Sequence, residues 1–482
     1  MQGSVGKSAV QLTVARVLTL LITLVSAMLL SRFRSLFEYG TYSQLLIVIQ
    51  LAISLFTMGL PNSTNFFLAR AENKEQRVDF LSSFYGLCTI LSVATAIVLF
   101  FGVPVFESFF ENTTISDYAF FLVVFPWTQI IINSISNVLV VYGRIKRLFV
   151  ITVVNAFVSV LAILVAQWMG LGFKEYLAIY LVGEVVVSVW IYLEIFLLER
   201  KWTFKINAEL IKSIIAYSVP IGVATLVGTA NIEVDKLVIG YFFDTDVLAI
   251  YTNAAKELPL YIFSTSLTAV IMPKMTKYFK DGNAEEAIAL WKRAVKLGFY
   301  LTSYLTMICI VFAPQIIAVL YSEKYLPGSS IFQVYSLVLL FRTTYFGIVL
   351  NTTGKTRFVL YSSLLALMLN LGFSFVLCVL FGPIGPAWAT VISMAVVAFA
   401  QLNYSTKIVG INVRHIFPWS DLMRISIFNA ILGALIFAWT HFINLGVDVA
   451  GFAITVVAVG VSLGACALCF YRDAKKEWNE LK

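Results

Sequence analysis

Charged residues inside long apolar segments are the candidates for chemistry in this sequence. The cations are Arg16, Lys236, Lys256 and Arg342, and the carboxylates are Glu184, Glu233, Asp235 and Glu257. A charge at the centre of a membrane-spanning helix costs roughly 2.5 to 3.5 kcal/mol on insertion scales, so such residues face a bundle interior or a watery cavity. Arginine grips phosphate oxygens with two parallel hydrogen bonds, and lysine acts as a point charge. We therefore predict a cavity in which the four cations bind an anionic substrate.

The carboxylates have a second candidate role, the coupling of transport to an ion. Protonation of Glu184, Glu233 or Asp235 would switch a nearby ion pair off, and deprotonation would switch it on again. The apolar stretch of residues 217–243 carries two of these groups. Glu233 and Lys236 are three residues apart there, on one helical face. An ion pair that only holds helices together is the alternative to a cavity lining for each of these residues.

Composition determines the class of protein. The chain is 60% hydrophobic and 12% charged, whereas soluble domains average about 45 to 50% and about 25%. This is the composition of a polytopic, all-α membrane protein. The five cysteines lie in apolar segments, where they behave as small buried hydrophobes. The Cys466-x-x-Cys469 spacing lacks a soluble redox fold around it and predicts no redox site.

Hydropathy predicts fourteen membrane spans, numbered here 1 to 14. Their approximate bounds are 9–30, 40–60, 80–103, 117–141, 149–169, 176–198, 215–243, 248–272, 295–319, 329–350, 358–381, 386–408, 424–444 and 450–471. With the N-terminus in the cytoplasm, 26 of the 34 lysines and arginines lie in cytoplasmic segments and four in outer loops. This bias places both termini inside. It also accounts for the net charge of +8 without nucleic acid.

An internal repeat sets the expected domain organisation. The run Gly40-Thr41-Tyr42 after span 1 matches Ala249-Ile250-Tyr251 after span 7, and the inner loop 142–147 matches 353–357. Six spans separate the copies, so both enter the membrane from the same side and are parallel repeats. We predict an N-lobe at 1–200 (spans 1 to 6), a C-lobe at 201–412 (spans 7 to 12), and spans 13 and 14 with the tail at 413–482.

Apparent catalytic and cofactor motifs in the sequence are incomplete. Gly6-Lys7-Ser8 and Gly354-Lys355-Thr356 lack the glycine that a phosphate loop places five residues earlier, so we expect no ATP binding. The chain has two histidines, His415 and His441, and neither belongs to a metal-binding spacing. We therefore expect no metal, no cofactor and no enzymatic activity.

Several short motifs together resemble those of the polysaccharide transporter, or O-antigen flippase, family of the multidrug/oligosaccharidyl-lipid/polysaccharide (MOP) superfamily. They are RSLFEYGTYS after span 1, GLPNS ending span 2, YGRIKR between spans 4 and 5, YSVPI opening span 7, SEKYLPG after span 9, NTTGKTR after span 10 and GPIGPAWAT before span 12. Their order extends over residues 8–471. The resemblance implies two six-helix lobes around a central cavity, with spans 13 and 14 added.

The same resemblance implies a function. It predicts alternating-access transport of an undecaprenyl-pyrophosphate-linked oligosaccharide across the bacterial inner membrane. The buried carboxylates make H⁺ or Na⁺ the candidate coupling ion. Lipid II flippases and cation-coupled multidrug antiporters of the same superfamily are alternatives. A membrane polysaccharide polymerase or ligase, the alternative from another class, is expected to carry a large catalytic outer loop. The longest predicted outer loop here covers only residues 104–116.

Overall fold

The computed structural model describes residues 2–202, 207–256, 258, 260, 262–443 and 445–481, except for some side chains, notably those of residues 2–13, 15 and 16. Throughout these residues the chain is helical, without a strand. The α-helices are α1 (Gln2–Phe33), α2 (Leu36–Thr57), α3 (Leu60–Phe67), α4 (Lys74–Phe110), α5 (Ala119–Val141), α6 (Ile145–Trp168), α7 (Phe173–Glu199), α8 (Ala208–Phe242), α9 (Thr245–Ala254), α10 (Ile262–Lys280), α11 (Ala284–Val311), α12 (Ala313–Leu320), α13 (Ser329–Ser336), α14 (Val338–Phe341), α15 (Ile348–Thr352), α16 (Thr356–Phe381), α17 (Gly385–Val409), α18 (Val413–Ile416), α19 (Trp419–Phe442) and α20 (Val449–Leu481).

Membrane-spanning capacity agrees with the predicted class. Within the described residues, ten helical stretches are long and apolar enough to cross a membrane, and one of them, Thr356–Val409, covers both predicted spans 11 and 12. Residues Val17–Phe33 form a further, shorter apolar helix. The protein is therefore an all-helical, multi-pass membrane protein. The total of fourteen spans stays a prediction.

Three predicted spans are not single helices. Span 8 consists of α9 and α10, span 9 consists of α11 and the short α12, and span 10 consists of α13, α14 and α15. The wider interruption in span 10 covers residues 342–347. Hydropathy does not detect these interruptions because the residues around them remain largely apolar. Non-helical backbone at membrane depth is tolerated only where protein buries it or where it lines a watery cavity.

The internal repeat recurs in the local structure. Helices α2 and α9 start 209 residues apart, and α6 and α16 start 211 residues apart. A 3₁₀-helix follows each copy of span 3, at Thr113–Tyr118 and at Glu323–Gly328. The matching loops 142–147 and 353–357 also have a similar backbone conformation at their glycines, since Gly143 and Gly354 have φ values of 67° and 76°. A left-handed conformation of this kind favours glycine.

The chain divides into two compact units. The first unit contains Met1–Glu233 and Phe243–Ala249, and the second contains Val234–Phe242 and Ile250–Lys482. Helix α8 therefore contributes its longer, N-terminal part to the first unit and its last nine residues to the second. The predicted lobes at 1–200 and 201–412 are based on the sequence repeat, whereas these two units are based on contacts between residues. The lobes therefore stay a prediction.

Candidate functional site

Two of the predicted cavity cations lie close together in the second unit. Lys236 belongs to the last turns of α8, and Lys256 follows α9 at the interruption in span 8. The two ammonium groups are near enough for their positive charges to repel each other. Lys256 and Leu258 line a small pocket whose opposite wall comes from α11 and span 10. The two lysines come from different predicted spans, and their role in binding an anion stays a prediction.

Arg342 lies at the interruption in span 10. Its backbone N–H reaches the carbonyl oxygens of Val338 and Leu339 at 3.2 and 3.1 Å, which ends α14. The side chain is half-buried. A charged residue in an apolar segment is a candidate for substrate binding, and this role of Arg342 stays a prediction.

Asp235 is a buried carboxylate beside Lys236 in the same unit. Its Oδ1 accepts the backbone N–H of Lys236 at 2.8 Å, and its Oδ2 accepts the hydroxyl of Tyr251 at 3.1 Å. The side chain is 2% exposed. Tyr251 is the residue that the repeat pairs with Tyr42 of the first copy. The structure thus anchors this carboxylate between α8 and α9, adjacent to the lysines.

Glu184 is the buried carboxylate of the first unit. Its Oε2 accepts Gln129 Nε2 at 2.9 Å, and Tyr180 also hydrogen-bonds to the carboxylate. Tyr42 lies within range of its charge. The side chain is 1% exposed, and among the described residues no cation forms an ion pair with it. A buried carboxylate that has hydrogen-bond donors but no cation suits a proton-exchanging or cation-binding role.

The remaining predicted site residues are less completely placed. Arg16 lies on helix α1, but its side chain is outside the described residues. Glu257 is also outside them. Glu233 is half-buried at the boundary of the first unit. The predicted pairing of Glu233 with Lys236 stays a prediction, as does the gathering of all four cations in one cavity.

An ion-pair cluster at the C-terminal end of α7 in the first unit was not predicted from the sequence. Glu199 at the end of α7 accepts Arg77 Nε and the Tyr142 hydroxyl, each at 2.7 Å. Glu194, one turn earlier, accepts Arg147 at 3.0 Å and lies 3.6 Å from Arg144. The bias of basic residues along the chain predicts orientation only and gives these residues no partners. The glutamates gave a signal, since both lie in the last two turns of an apolar span.

A second cluster joins spans 13 and 14 to span 9 in the second unit. Lys296 of α11 lies 3.4 Å from Asp421 of α19 and 2.9 Å from Glu477 of α20. Arg293 lies 3.2 Å from Glu480. These contacts attach spans 13 and 14, which lie outside the repeat, to the second unit.

Among the described residues, no group of three or more His, Cys, Asp or Glu side chains has the geometry of a metal site.

A comparison with protein families decides the identity of the family. A family model described as "Polysaccharide biosynthesis protein" matches residues 29–330, which is more than half of the 482 residues. The chain belongs to this family. A relative within polysaccharide biosynthesis is the capsular polysaccharide biosynthesis protein CapF of Staphylococcus aureus, which is 24% identical over 205 residues. Those residues are 42% of this chain and 52% of CapF, so the match spans about half the length of that relative.

Two solved structures, a flippase and a multidrug transporter of the MOP superfamily, have a similar fold. The lipid II flippase MurJ in an inward closed conformation has a TM-score of 0.71 at 17% identity, over 96% of this chain and 98% of MurJ. An inward-facing multidrug resistance MATE transporter has a TM-score of 0.67 at 17% identity, over 84% and 98%. At these identities the likeness shows the fold alone. The predicted membership is therefore confirmed for a polysaccharide biosynthesis family and for the fold, and transport stays a prediction.

Proposed function

We propose that this polysaccharide biosynthesis family member is a flippase that carries a lipid-pyrophosphate-linked oligosaccharide from the inner to the outer leaflet of a bacterial cytoplasmic membrane. The observation that carries the proposal is that the second unit has three cations within predicted apolar spans. Lys236 and Lys256 lie within range of each other's charge, and Arg342 lies at the end of α14. A pyrophosphate supplies several anionic oxygens that can bind such cations.

The pyrophosphate is the part of the cargo that this chemistry recognises. Lysine supplies point charges, whereas the planar guanidinium of Arg342 supplies a fork of donors that matches two phosphate oxygens. Family membership in polysaccharide biosynthesis supports an oligosaccharide as the attached group. A carrier needs no nucleophile or cofactor, and we assign none. Both termini are expected in the cytoplasm.

Substitution of Arg342 tests the proposal. Each charge-assisted hydrogen bond contributes about 1.5 to 3 kcal/mol, so Arg342→Ala should lower transport by roughly tenfold to a hundredfold. Arg342→Lys keeps the charge but loses the fork and should fall between Ala and the wild type. The measurement is complementation of a flippase-deficient strain, normalised to the amount of protein in the membrane. The same series at Arg16 tests the first repeat.

The competing role for Arg342 is a structural one. Removal of one partner of a buried ion pair destabilises a protein by about 3 to 5 kcal/mol. In that case both variants would reduce the amount of protein in the membrane together with transport. Full transport by Arg342→Ala at normal abundance would remove the residue from the mechanism.

A cation-coupled multidrug antiporter is the second candidate, because Glu184 is a buried carboxylate without a cation among the described residues. The two functions differ in the sign of their cargo. Binding of an isoprenoid pyrophosphate that weakens as salt concentration rises would support the flippase. Binding of a hydrophobic organic cation, with no response to pyrophosphate, would support the antiporter.

A further inference from the structure

The interruption in span 10 is held by side chains of a neighbouring helix. Residues 342–347, RTTYFG, separate α14 from α15 within an apolar span. In a bilayer each backbone polar group without a partner costs several kcal/mol, so an interruption at this depth needs support from protein. Helix α11 of span 9 supplies this support.

Two hydrogen bonds join α11 to the interrupted segment. The hydroxyl groups of Thr302 and Thr343 share one hydrogen bond. Trp291 Nε1 donates to Thr344 Oγ1 at 2.9 Å. Thr302 and Trp291 are fully buried, and Thr343 is 3% exposed. A hydrogen bond between two buried side chains is costly to break on one side only, so these bonds fix the segment against α11.

Gly298 lets the segment approach closely. A Cβ atom at this position would lie 2.8 Å from the carbonyl oxygen of Thr343 and 3.0 Å from Ser264 Oγ of α10. Gly298 is seven residues after Trp291 and four before Thr302, so all three lie on one face of α11. On this face, Gly298 allows the closest contact, and Trp291 and Thr302 on either side of it form the two hydrogen bonds.

The first repeat provides a comparison within the same chain. There the corresponding span is one continuous helix, α5 (Ala119–Val141). At the offset of 210 residues, Trp291, Gly298 and Thr302 correspond to Leu81, Cys88 and Ser92, and Arg342 corresponds to Ile132. The copy without the arginine thus also lacks the tryptophan, the glycine and the interruption. The supporting residues and the interruption of the span therefore occur in the repeat that carries the arginine.

We propose that Trp291, Gly298 and Thr302 are positioning residues for Arg342, and that they hold the interrupted span 10 so that this arginine meets the diphosphate of the cargo. The inference rests on the proposed function. Thr343 is anchored by Thr302 and directly follows Arg342, so the anchor determines where the arginine backbone lies. Release of the anchor would let residues 342–347 move and would spread the guanidinium over many positions.

A double-mutant cycle tests this role. The purified full-length protein in nanodiscs is titrated with farnesyl diphosphate, a short isoprenoid diphosphate. Thr302→Val preserves the shape but removes the hydroxyl, and we expect about a tenfold weaker affinity. Arg342→Ala should weaken the affinity at least as much. Because the two residues act as one unit, the double variant should bind no worse than Arg342→Ala alone.

Matched variants separate positioning from a general loss of structure. Thr302→Ser retains the hydroxyl and should restore the affinity. Trp291→Phe removes the second hydrogen bond and should behave like Thr302→Val, which provides a second test if Thr302→Val does not fold. Ser92→Ala is the control, since Ser92 lies at the equivalent place of the first repeat and bonds only within its own helix.

Two results would overturn the inference, and they differ in what else they affect. If Thr302→Val and Trp291→Phe bind like the wild type while Arg342→Ala does not, the positioning role is wrong and the proposed function stands. Additive losses in the double variant lead to the same conclusion. If the wild type does not bind farnesyl diphosphate at all, the proposed cargo is wrong, and the role assigned to α11 falls with it.

Discussion

Glu184 illustrates at the scale of one residue how burial gives a group a candidate function. The first unit surrounds this carboxylate with Gln129 and Tyr180 as hydrogen-bond partners and with the nearby Tyr42. Burial in a low-dielectric interior disfavours a negative charge, and a bound proton or cation removes that penalty. The sequence predicts the position of the group in span 6, but not the absence of an ion pair among the described residues.

Glu184→Gln tests coupling through this residue. Glutamine keeps the size and can still hydrogen-bond to Gln129 and Tyr180, so we expect normal amounts of protein in the membrane. If Glu184 exchanges a proton during transport, the variant should lose the stimulation that a pH gradient gives the wild type in proteoliposomes. Glu175→Gln, at an exposed position of the same helix, should keep it. A Glu184→Gln protein with undiminished stimulation would rule out this carboxylate as the proton site.

In helix α8, a glycine allows two segments of the chain to pack closely. A Cβ atom at Gly222 would overlap the backbone of Met58, at the end of α2. Phe66 of α3 and Tyr217 of α8 stack beside this contact, with ring centroids 4.6 Å apart. Both residues of the Met58-Gly59 link between α2 and α3 have positive φ values, 39° and 72°. The link therefore has little freedom to move away from an added side chain.

We expect Gly222→Ala to destabilise the protein by about 1 to 3 kcal/mol, the usual cost of added volume in a packed region. Gly228→Ala is the matched control, because this glycine lies on the same helix with no atom within 4 Å of an added Cβ. That control should be neutral or more stable by about 0.5 to 1 kcal/mol, since alanine favours a helix. Thermal unfolding in detergent measures both. Equal stability of the two variants would contradict the close contact.

The orientation of the whole molecule follows from its basic residues and gives a prediction that covers both units. Positions 448 and 111 should face the outside, and positions 205, 280 and 482 the cytoplasm. Single cysteines in a cysteine-free background, labelled with an impermeant reagent in intact cells, measure this. Labelling of position 280 from outside would reverse the orientation.

One labelling position that the sequence suggests is unsuitable in the structure. Asn112 is the outer-loop residue that the sequence suggests, but it is buried and hydrogen-bonds to Thr41 and Gln44. A cysteine there would break this network and react poorly. The preceding residue, Glu111, is exposed and lies in the same loop. It reports the side of the membrane without disturbing the outer end of the first unit.

Sequence patterns alone predict the class of protein, most of the helices and the repeat. These properties are local or repeat along the chain: mean hydropathy over some twenty residues predicts a span, and matching segments such as 142–147 and 353–357 predict matching loops. The positive φ values of Gly143 and Gly354 agree with that match. The same local information placed Glu184, Asp235, Lys236, Lys256 and Arg342 in apolar spans.

How those residues are held depends on contacts between helices. The interruption of span 10 is stabilised by Thr302 and Trp291, about 40 to 50 residues earlier in the chain, which bond to Thr343 and Thr344. Glu184 is buried with hydrogen-bond donors because α5 and α7 pack together. A backbone or side-chain polar group in an apolar region is stable only with a partner. For these groups the partner belongs to another helix, so the local pattern of the chain does not predict it.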